Sequence, residues 1–331
     1  MPPPDVYVVT TSYPEHPDDA QGHFVGAEVR RLVATSRVTV LAPGRWREPV
    51  WGERVVSLDG GQAFGFPGVL TRVRQSPWHV TGVVQFVASA ISWLRRAPTP
   101  ARLIAHFLLP CGVPIATRGL GARSADIEVV VHGSEARLFA QLPAGHRWVG
   151  AELVRAQARL RFVSSELHDL VLGSLPRPQR QVLEPRSRIE PCAFDVSGGL
   201  SRVQARALLG IAPKASVAVI VARLIAGKRV HVALEACERV PGLQPIVVGE
   251  GPERARLMRR FGRATFVGQV ERPLALAYVA AADMLVSASL HEGAPTVVRE
   301  ARALGTPVVC LAAGDVARWA ETDAGIHVVV P

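Results

Sequence analysis

The sequence predicts an α/β protein built as two Rossmann-like domains, each with a parallel sheet layered between helices. Two observations carry this reading. Short β-branched runs alternate with helical stretches along the chain, the signature of parallel α/β layers. A proline- and glycine-rich break at residues 175–199, holding Pro176, Pro178, Pro185, Pro191 and Gly198-Gly199, separates one such series from a second, cleaner one. The expected domains are 1-185 and 186-331, and two such domains are expected to create a cleft of the kind where ligands bind in these folds.

In order along the chain, residues 6–10 read as a first strand, followed by a Pro/Asp/Gly loop and a helix over 25–34. Residues 37–41 form the next strand, closed by Pro43-Gly44, and 103–107 and 128–131 are further strands. A helix over 151–159 leads into a strand at 160–163. After the break, strand 217–221 precedes a loop and a helix over 231–239. Strand 244–248 runs into Gly249-Glu-Gly-Pro252 and a helix over 253–261. Strand 264–267, helix 274–282, strand 284–287, helix 295–304 and strand 307–311 complete the series.

The composition narrows the function classes. With 331 residues, 48% hydrophobic and 20% charged, the chain is globular and long enough for two cores. The formal net charge is +10, and Lys214 and Lys228 are the only lysines among 38 basic residues. Arginine codons are G+C-rich, so genome composition is the plain reading of that bias, and attraction to phosphate is the functional one. The arginines are scattered, with no basic run or aromatic-basic alternation, which argues against nucleic acid. Cys111, Cys192, Cys237 and Cys310 show no CxxC spacing and read as buried thiols in a reducing compartment. The N-terminus has no signal-peptide pattern, and the longest charge-free stretch, 80–94, is too short and too polar to span a bilayer. A cytoplasmic protein is expected.

The richest motif is Ser289-Leu-His-Glu-Gly-Ala-Pro-Thr-Val-Val-Arg-Glu-Ala301. With Glu292 in a loop and Pro295 opening a helix, main-chain N–H groups of Gly293, Ala294, Pro295's neighbours and Thr296 point outward, where they can hold a phosphate. Glu300 lies five residues beyond Pro295, roughly 7.5 Å along a helix axis. One carboxylate can then reach a sugar on one side of a pyrophosphate, and the other a ribose on the opposite side. The plain alternative is an acidic cap and a surface glutamate. Arg223 and Lys228 follow the apolar strand 217–221, where two cations can neutralise a departing diphosphate. Solvated loop charges are the plain alternative there.

Taken together, these elements resemble the donor domain of the retaining, GT-B-fold family 4 glycosyltransferases (glycosyl transferases group 1). The matched residues are Ala222-Arg-Leu with Lys228, Val248-Gly-Glu-Gly-Pro252, Phe266-Val-Gly-Gln-Val270, Ala282-Asp283, and Glu292 to Glu300 running into Ala303-Leu-Gly-Thr-Pro-Val-Val309. The resemblance implies that Arg223 and Lys228 bind the donor diphosphate, Glu292 the sugar hydroxyls and Glu300 the ribose. It also implies that backbone groups of Gly293, Ala294, Pro295 and Thr296 contact phosphate and sugar. Gly249, Glu250, Gly251, Phe266 and Val267 would line the nucleotide pocket.

The N-terminal half matches more loosely. Gly22-His23-Phe24 resembles the family's glycine-bearing phosphate loop, without its commoner double glycine. Val131-His-Gly-Ser-Glu135 resembles the strand-end segment whose histidine, here His132, faces the transferred sugar. Phe162-Val-Ser-Ser-Glu166 and Ile189-Glu-Pro-Cys-Ala-Phe-Asp195 resemble the elements flanking the linker, with Ala193 where glycine is usual. His106, ending another apolar strand, is a weaker acceptor-side candidate. Family members continue past the Gly-Thr-Pro-Val-Val strand into helices that cross back onto the N-terminal domain; this chain stops at Pro331, so the crossover helices are expected to be missing.

The expected reaction moves a sugar from a nucleoside-diphosphate sugar, a co-substrate rather than a cofactor, to a hydroxyl acceptor with retention. No Asp-x-Asp motif or metal-spaced cluster occurs, so no metal is expected. A nicotinamide dehydrogenase fits poorly, because Gly249-Glu-Gly-Pro-Glu-Arg254 lacks the third glycine. A sugar-nucleotide epimerase and a non-catalytic sugar-nucleotide-binding subunit remain as alternatives. Finally, 78–94 carries Trp78 and Trp93 at its ends and runs into Arg95-Arg96. It reads either as a buried helix or as an interfacial segment making peripheral contact with an anionic membrane.

Overall fold

The computed structural model describes residues 3–44, 48–65, 68–120 and 125–329. The chain divides into two compact units, Met1–Ala193 and Phe194–Pro331.

In the first unit the chain runs β1 (Asp5–Val9), α1 (His23–Leu32), β2 (Arg37–Pro43), β3 (Arg54–Leu58), α2 (Val69–Gln75), α3 (His79–Arg96) and β4 (Arg102–His106). An irregular helical segment, Leu108–Ala116, follows, with extended residues Leu109 and Val113 inside it. Then come α4 (Thr117–Gly119), β5 (Asp126–Val131), α5 (Ser134–Ala140), α6 (Pro143–Arg155), β6 (Arg159–Phe162), α7 (Ser165–Ser174), α8 (Arg177–Leu183) and β7 (Ser187–Ile189). The seven strands form one parallel sheet in the order β3-β2-β1-β4-β5-β6-β7. Its central strands are apolar on both faces, as helices on both sides require: Val8, Val9, Leu103, Ile104, Val129 and Val130 are all buried.

The unit boundary falls at 193/194, later than the expected 185/186. The prolines of 175–199 do not hold a disordered linker. Pro176 caps α8, and Ser187–Ile189 pairs with β6 as the edge strand of the first sheet. Helix 25–34 begins two residues earlier, at His23, because Gly22 already provides its left-handed N-cap. The helix expected over 151–159 is α6, which starts at Pro143, so β6 begins at Arg159.

The segment 78–94 lies within α3, which is not buried all round. Gly82, Phe86, Ala90 and Leu94 form an i, i+4 stripe facing the sheet. Away from that stripe α3 exposes Val80 and Val84 (61%), and Trp78 (81%), its N-cap, is exposed at the stripe's N-terminal end. Trp93 is half-buried, edge-on to Tyr7 at 5.2 Å.

The second unit runs α9 (Arg202–Leu209), β8 (Ser216–Val221), a 3-10 turn at Ala226–Lys228, α10 (Val230–Glu238), β9 (Leu243–Val248), α11 (Arg254–Arg260) and β10 (Thr265–Gly268). It continues through α12 (Arg272–Ala281), β11 (Met284–Ser287), α13 (Thr296–Ala303), β12 (Val308–Leu311), α14 (Val316–Ala320) and β13 (Ile326–Val329). Its six-stranded parallel sheet has the order β10-β9-β8-β11-β12-β13. Val217, Val219, Leu285 and Val308 pack one face, and Ala218, Ile220, Val247 and Leu234 the other. In both sheets the strand order reverses beside the first strand of the unit, between β1 and β4 and between β8 and β11. In open α/β sheets such switch points open a crevice at the strands' carboxyl ends.

Candidate functional site

In the second unit the switch point lies between β8 and β11, and the expected cations meet one of the two expected acids, Glu292, in the loops after these strands. The 3-10 turn after β8 carries Lys228, and the loop after β11 carries Glu292. The Leu290 amide donates to the Gly227 carbonyl at 3.0 Å, tying the two loops together. The Lys228 ammonium then pairs with the Glu292 carboxylate, both side chains mostly shielded. Arg223 stands on the same β8 exit loop and is exposed. Desolvation of its guanidinium lowers its pKa, while the Glu292 carboxylate opposes the shift, which places the two charges near each other.

Gly293, Ala294 and Pro295 lead from Glu292 into α13. Pro295 is the N-cap, and the helix opens at Thr296, one residue later than expected. The first N–H groups of a helix have no carbonyl behind them, and the local dipole favours an anion there. The loop is braced from β12: a Cβ on Gly314 would lie 2.1 Å from the Gly293 carbonyl oxygen.

Glu300 is placed differently from Glu292. It is 6% exposed on α13 and accepts from Arg272 Nη1 at 2.5 Å. Arg272 Nη2 also donates to the Asp195 carbonyl at 2.5 Å, and Arg299, one residue before Glu300, stacks on Phe194 at 4.5 Å. The carboxylate expected at a ribose is thus held in an ion pair beside the first residues of this unit.

The glycines of 249–251 have a packing cause that spacing does not reveal. The Leu224 amide donates to the Glu250 carbonyl at 2.7 Å, and the Glu253 amide to the Leu224 carbonyl at 3.0 Å. The loops after β8 and β9 are thereby zipped together. A Cβ on Gly249, whose φ is +135°, would sit 2.0 Å from the Ala222 oxygen, and one on Gly251 would sit 2.3 Å from the Leu224 oxygen. Only glycine permits that approach. The Glu250 side chain pairs with Arg254 at 3.0 Å. Phe266 and Val267, adjacent on β10, pack on opposite faces of the sheet, so they do not present their side chains to one pocket.

The first unit holds a separate cluster at its own switch point. Gly22 (φ +69°) turns the chain into α1, and a Cβ there would meet the Tyr13 nitrogen at 2.8 Å. His106 ends β4, and His132 lies one residue beyond β5. Their rings stack with centroids 5.2 Å apart, and His106 Nδ1 lies 3.0 Å from His132 Nε2. Phe24 and Phe107 close over His132 with ring centroids at 4.9 and 4.6 Å. Burial, then the Arg161 charge, lowers the His106 pKa to about 3. Burial, then His106 and Arg161, holds His132 well below its ordinary value. Both imidazoles are therefore neutral near pH 7. His106 is fully buried, which removes it as a direct acceptor-side contact.

Further charged residues of this cluster were assigned no role from the sequence. Glu135 accepts from the His132 amide at 2.6 Å and the Gly133 amide at 3.1 Å, fixing the backbone at the histidine. Burial raises its pKa against those same hydrogen bonds. Glu28 on α1 lies 3.7 Å from His106 Nε2 and accepts from Arg161 at 2.5 and 2.7 Å. Arg161 on β6 also lies 3.2 Å from Glu128, which Arg102 and Arg188 pair as well. Desolvation would raise the Glu128 pKa, but these three arginines bring it below its ordinary value. Glu135 alone could have been inferred, since it follows His-Gly at the start of a helix. Among the described residues, no group of three or more His, Cys, Asp or Glu side chains is placed to hold a metal ion.

The chain is similar in sequence and in fold to known proteins. Residues 215–331 match the family described as glycosyl transferases group 1. TuaC of Bacillus subtilis, named for a teichuronic acid biosynthesis glycosyltransferase, is 26% identical over 331 residues, covering 93% of this chain and 81% of TuaC. Sucrose-phosphate synthase from Thermosynechococcus elongatus has the same fold, with a TM-score of 0.76, 19% identity, and coverage of 99% of this chain and 86% of that one. Anabaena HepE in complex with UDP and glucose superposes with a TM-score of 0.70 at 16% identity, again over 99% and 86% of the two chains. Residues 215–331 thus match the glycosyl transferases group 1 family, and the chain as a whole is similar in sequence to a glycosyltransferase and in fold to sucrose-phosphate synthase and HepE.

Proposed function

We propose that this enzyme transfers a sugar from a nucleoside-diphosphate sugar to a hydroxyl acceptor, with retention and without a metal ion, as a family 4 member. The second unit, 194–331, holds the donor, and the first holds the acceptor. The observation that carries this reading is the meeting of Lys228, Arg223 and Glu292 at the β8–β11 switch point, beside the N-terminus of α13. The HepE structure of similar fold holds UDP and glucose, which supports a nucleotide-sugar donor here.

In this reading the donor diphosphate lies against the opening amides of α13. Lys228 leaves Glu292 for the phosphate, and Arg223 adds a second fixed positive charge where negative charge grows as the glycosidic bond breaks. Glu292 accepts hydrogen bonds from sugar hydroxyls. Glu300 offers the ribose whatever acceptor capacity Arg272 leaves it. Glu250, Phe266 and Val267 contribute mainly backbone to the nucleotide pocket. The resemblance to family 4 assigns His132 to the transferred sugar and Gly22 to the donor phosphate. The test is turnover of a panel of nucleoside-diphosphate sugars with hydroxyl acceptors, reading the anomeric configuration of the product by NMR. Hydrolysis or epimerisation without transfer, or an inverted product, would overturn the assignment.

The acceptor side carries its own signal. Exposed Trp78 precedes α3, Val80 and Val84 are exposed along its first turns, and exposed Arg95 and Arg96 close its other end. This pattern supports peripheral contact with anionic lipid on the cytoplasmic face. Among the described residues no helix is long and apolar enough to cross a membrane. Co-sedimentation with anionic vesicles, lost with neutral vesicles and reduced by Arg95→Glu with Arg96→Glu, is the expected result. Protein remaining in the supernatant at low salt would remove the membrane from the proposal.

A further inference from the structure

The buried pair His106–His132 has one proton to share, and a third residue decides which ring carries it. His106 Nδ1 and His132 Nε2 face each other at 3.0 Å, so one nitrogen donates and the other accepts. At its other end, His106 Nε2 has no hydrogen-bond partner among the described residues and lies 3.7 Å from Glu28 Oε2. That is too long for a hydrogen bond but short enough for charge to matter in a buried site. A carboxylate can only accept. A bare Nε2 lone pair would be repelled by it, and an Nε2–H would be attracted.

We propose that Glu28 sets the tautomers of both histidines and is thereby a positioning residue for His132. The chain of polarity starts at Arg161, whose guanidinium donates to both oxygens of Glu28 at 2.5 and 2.7 Å. Glu28 draws the His106 proton to Nε2. His106 Nδ1 is then the acceptor, and His132 donates to it from Nε2–H. His132 is left with a bare Nδ1, the one ring nitrogen not committed to His106. Its neighbour is the Cys192 sulfur at 3.8 Å, a weak donor that a hydroxyl can displace. His132 therefore offers a ligand an acceptor and no N–H donor, so the group it takes is a hydroxyl that donates. The other charged and titratable groups facing the pair agree with this assignment. Arg161 and burial keep both rings neutral, and Glu135 engages the backbone of His132 rather than its ring.

The consequence for sugar recognition rests on the reading that His132 meets the transferred sugar; the tautomer assignment does not. The test uses the full chain labelled with 15N-histidine and long-range proton–nitrogen correlation of the imidazoles, with His132→Gln to assign the signals. Both His106 and His132 are expected as the Nε2–H form near pH 7. An Nδ1–H signal from either ring overturns the proposal. In Glu28→Gln the amide can donate or accept, so His132 should divide between tautomers. Its kcat/KM for the donor should fall about 3- to 10-fold, the scale of one neutral hydrogen bond. An unchanged His132 tautomer in the folded variant refutes the role of Glu28. A changed tautomer with unchanged kcat/KM upholds that role and refutes the contact between His132 and the sugar. If Glu28→Gln fails to fold, the wild-type spectrum alone decides.

Discussion

The ion pair between Lys228 and Glu292 predicts an asymmetry that a simple binding-site reading does not. Without a nucleotide, Lys228 is held by Glu292, with side chains 19% and 16% exposed. A donor diphosphate must displace Glu292 from the ammonium before it gains the contact. The new contact, a charge-assisted hydrogen bond, is worth ~1.5–3 kcal/mol, or about 10- to 150-fold in affinity. The contact given up is a partly shielded ion pair worth about 1 kcal/mol, the upper end for exposed pairs. Lys228→Ala should therefore weaken nucleoside diphosphate binding by the difference, about 0.5–2 kcal/mol or roughly 2- to 30-fold. Glu292→Gln should leave it unchanged or tighten it up to about fivefold, while turnover falls because sugar contacts are lost. In the Glu292→Gln background, Lys228→Ala should cost more than in the wild type, by the strength of the pair. Calorimetric titration of the four proteins closes this double-mutant cycle. Unchanged affinity in Lys228→Ala would refute the phosphate contact. An equal loss in both single variants would show that Glu292 holds Lys228 for the ligand instead of competing with it.

Glu300→Gln should weaken nucleoside diphosphate binding by ~0.5–1.5 kcal/mol through the ribose, read by the same titration; unchanged affinity would leave Glu300 as a structural partner of Arg272 alone. Transfer should survive excess EDTA if Arg223, Lys228 and the α13 amides neutralise the leaving group as proposed; loss in EDTA restored by magnesium or manganese would refute metal independence. The protein should also lose stability in mild acid through His106. Its pKa falls from 6.5 to about 3 on folding, so between those values the unfolded chain binds a proton that the native state does not, and stability declines as pH drops. His106→Phe should show a shallower decline in urea midpoint between pH 7 and pH 4.5, and an identical slope would contradict the buried neutral imidazole.

How far the sequence could be read followed from how local each signal was. The second unit was legible almost element by element, because each strand is a short β-branched run ending in a glycine or proline turn. Lys228 and Glu292 were found for the same reason, as each stands in a loop at a strand's end. The first unit was less legible. Ser187–Ile189 lay inside a proline-rich stretch that read as linker, and only pairing with β6 makes it a strand. The double nature of α3 was half-visible: its apolar content suggested burial, but spacing sorts Phe86, Ala90 and Leu94 inward and Val80 and Val84 outward. The packing role of Gly249 was invisible, because its nearest contact is a carbonyl 27 residues earlier in the chain, on a different loop.

The charges behind His132 show why some functional residues escape a sequence altogether. Glu28 comes from α1, Arg161 from β6, Glu128 from β5, Arg102 from β4 and Arg188 from β7. No two are near in sequence, and each alone resembles any other charge in an arginine-rich chain. Only the parallel order β4-β5-β6-β7 brings them side by side. Such a network is a poor device for stability, since desolvating buried charges offsets most of their attraction. Glu128, with no exposed surface, would be costly to keep if an apolar residue served as well. What an apolar residue cannot do is orient a dipole. Removing Glu128 would leave Arg161 free to turn from Glu28, and Glu28 would lose the partner that fixes its carboxylate beside His106. The network's contribution therefore lies in fixing the direction of one hydrogen bond between two neutral imidazoles, a property carried by charge placement rather than by any single motif.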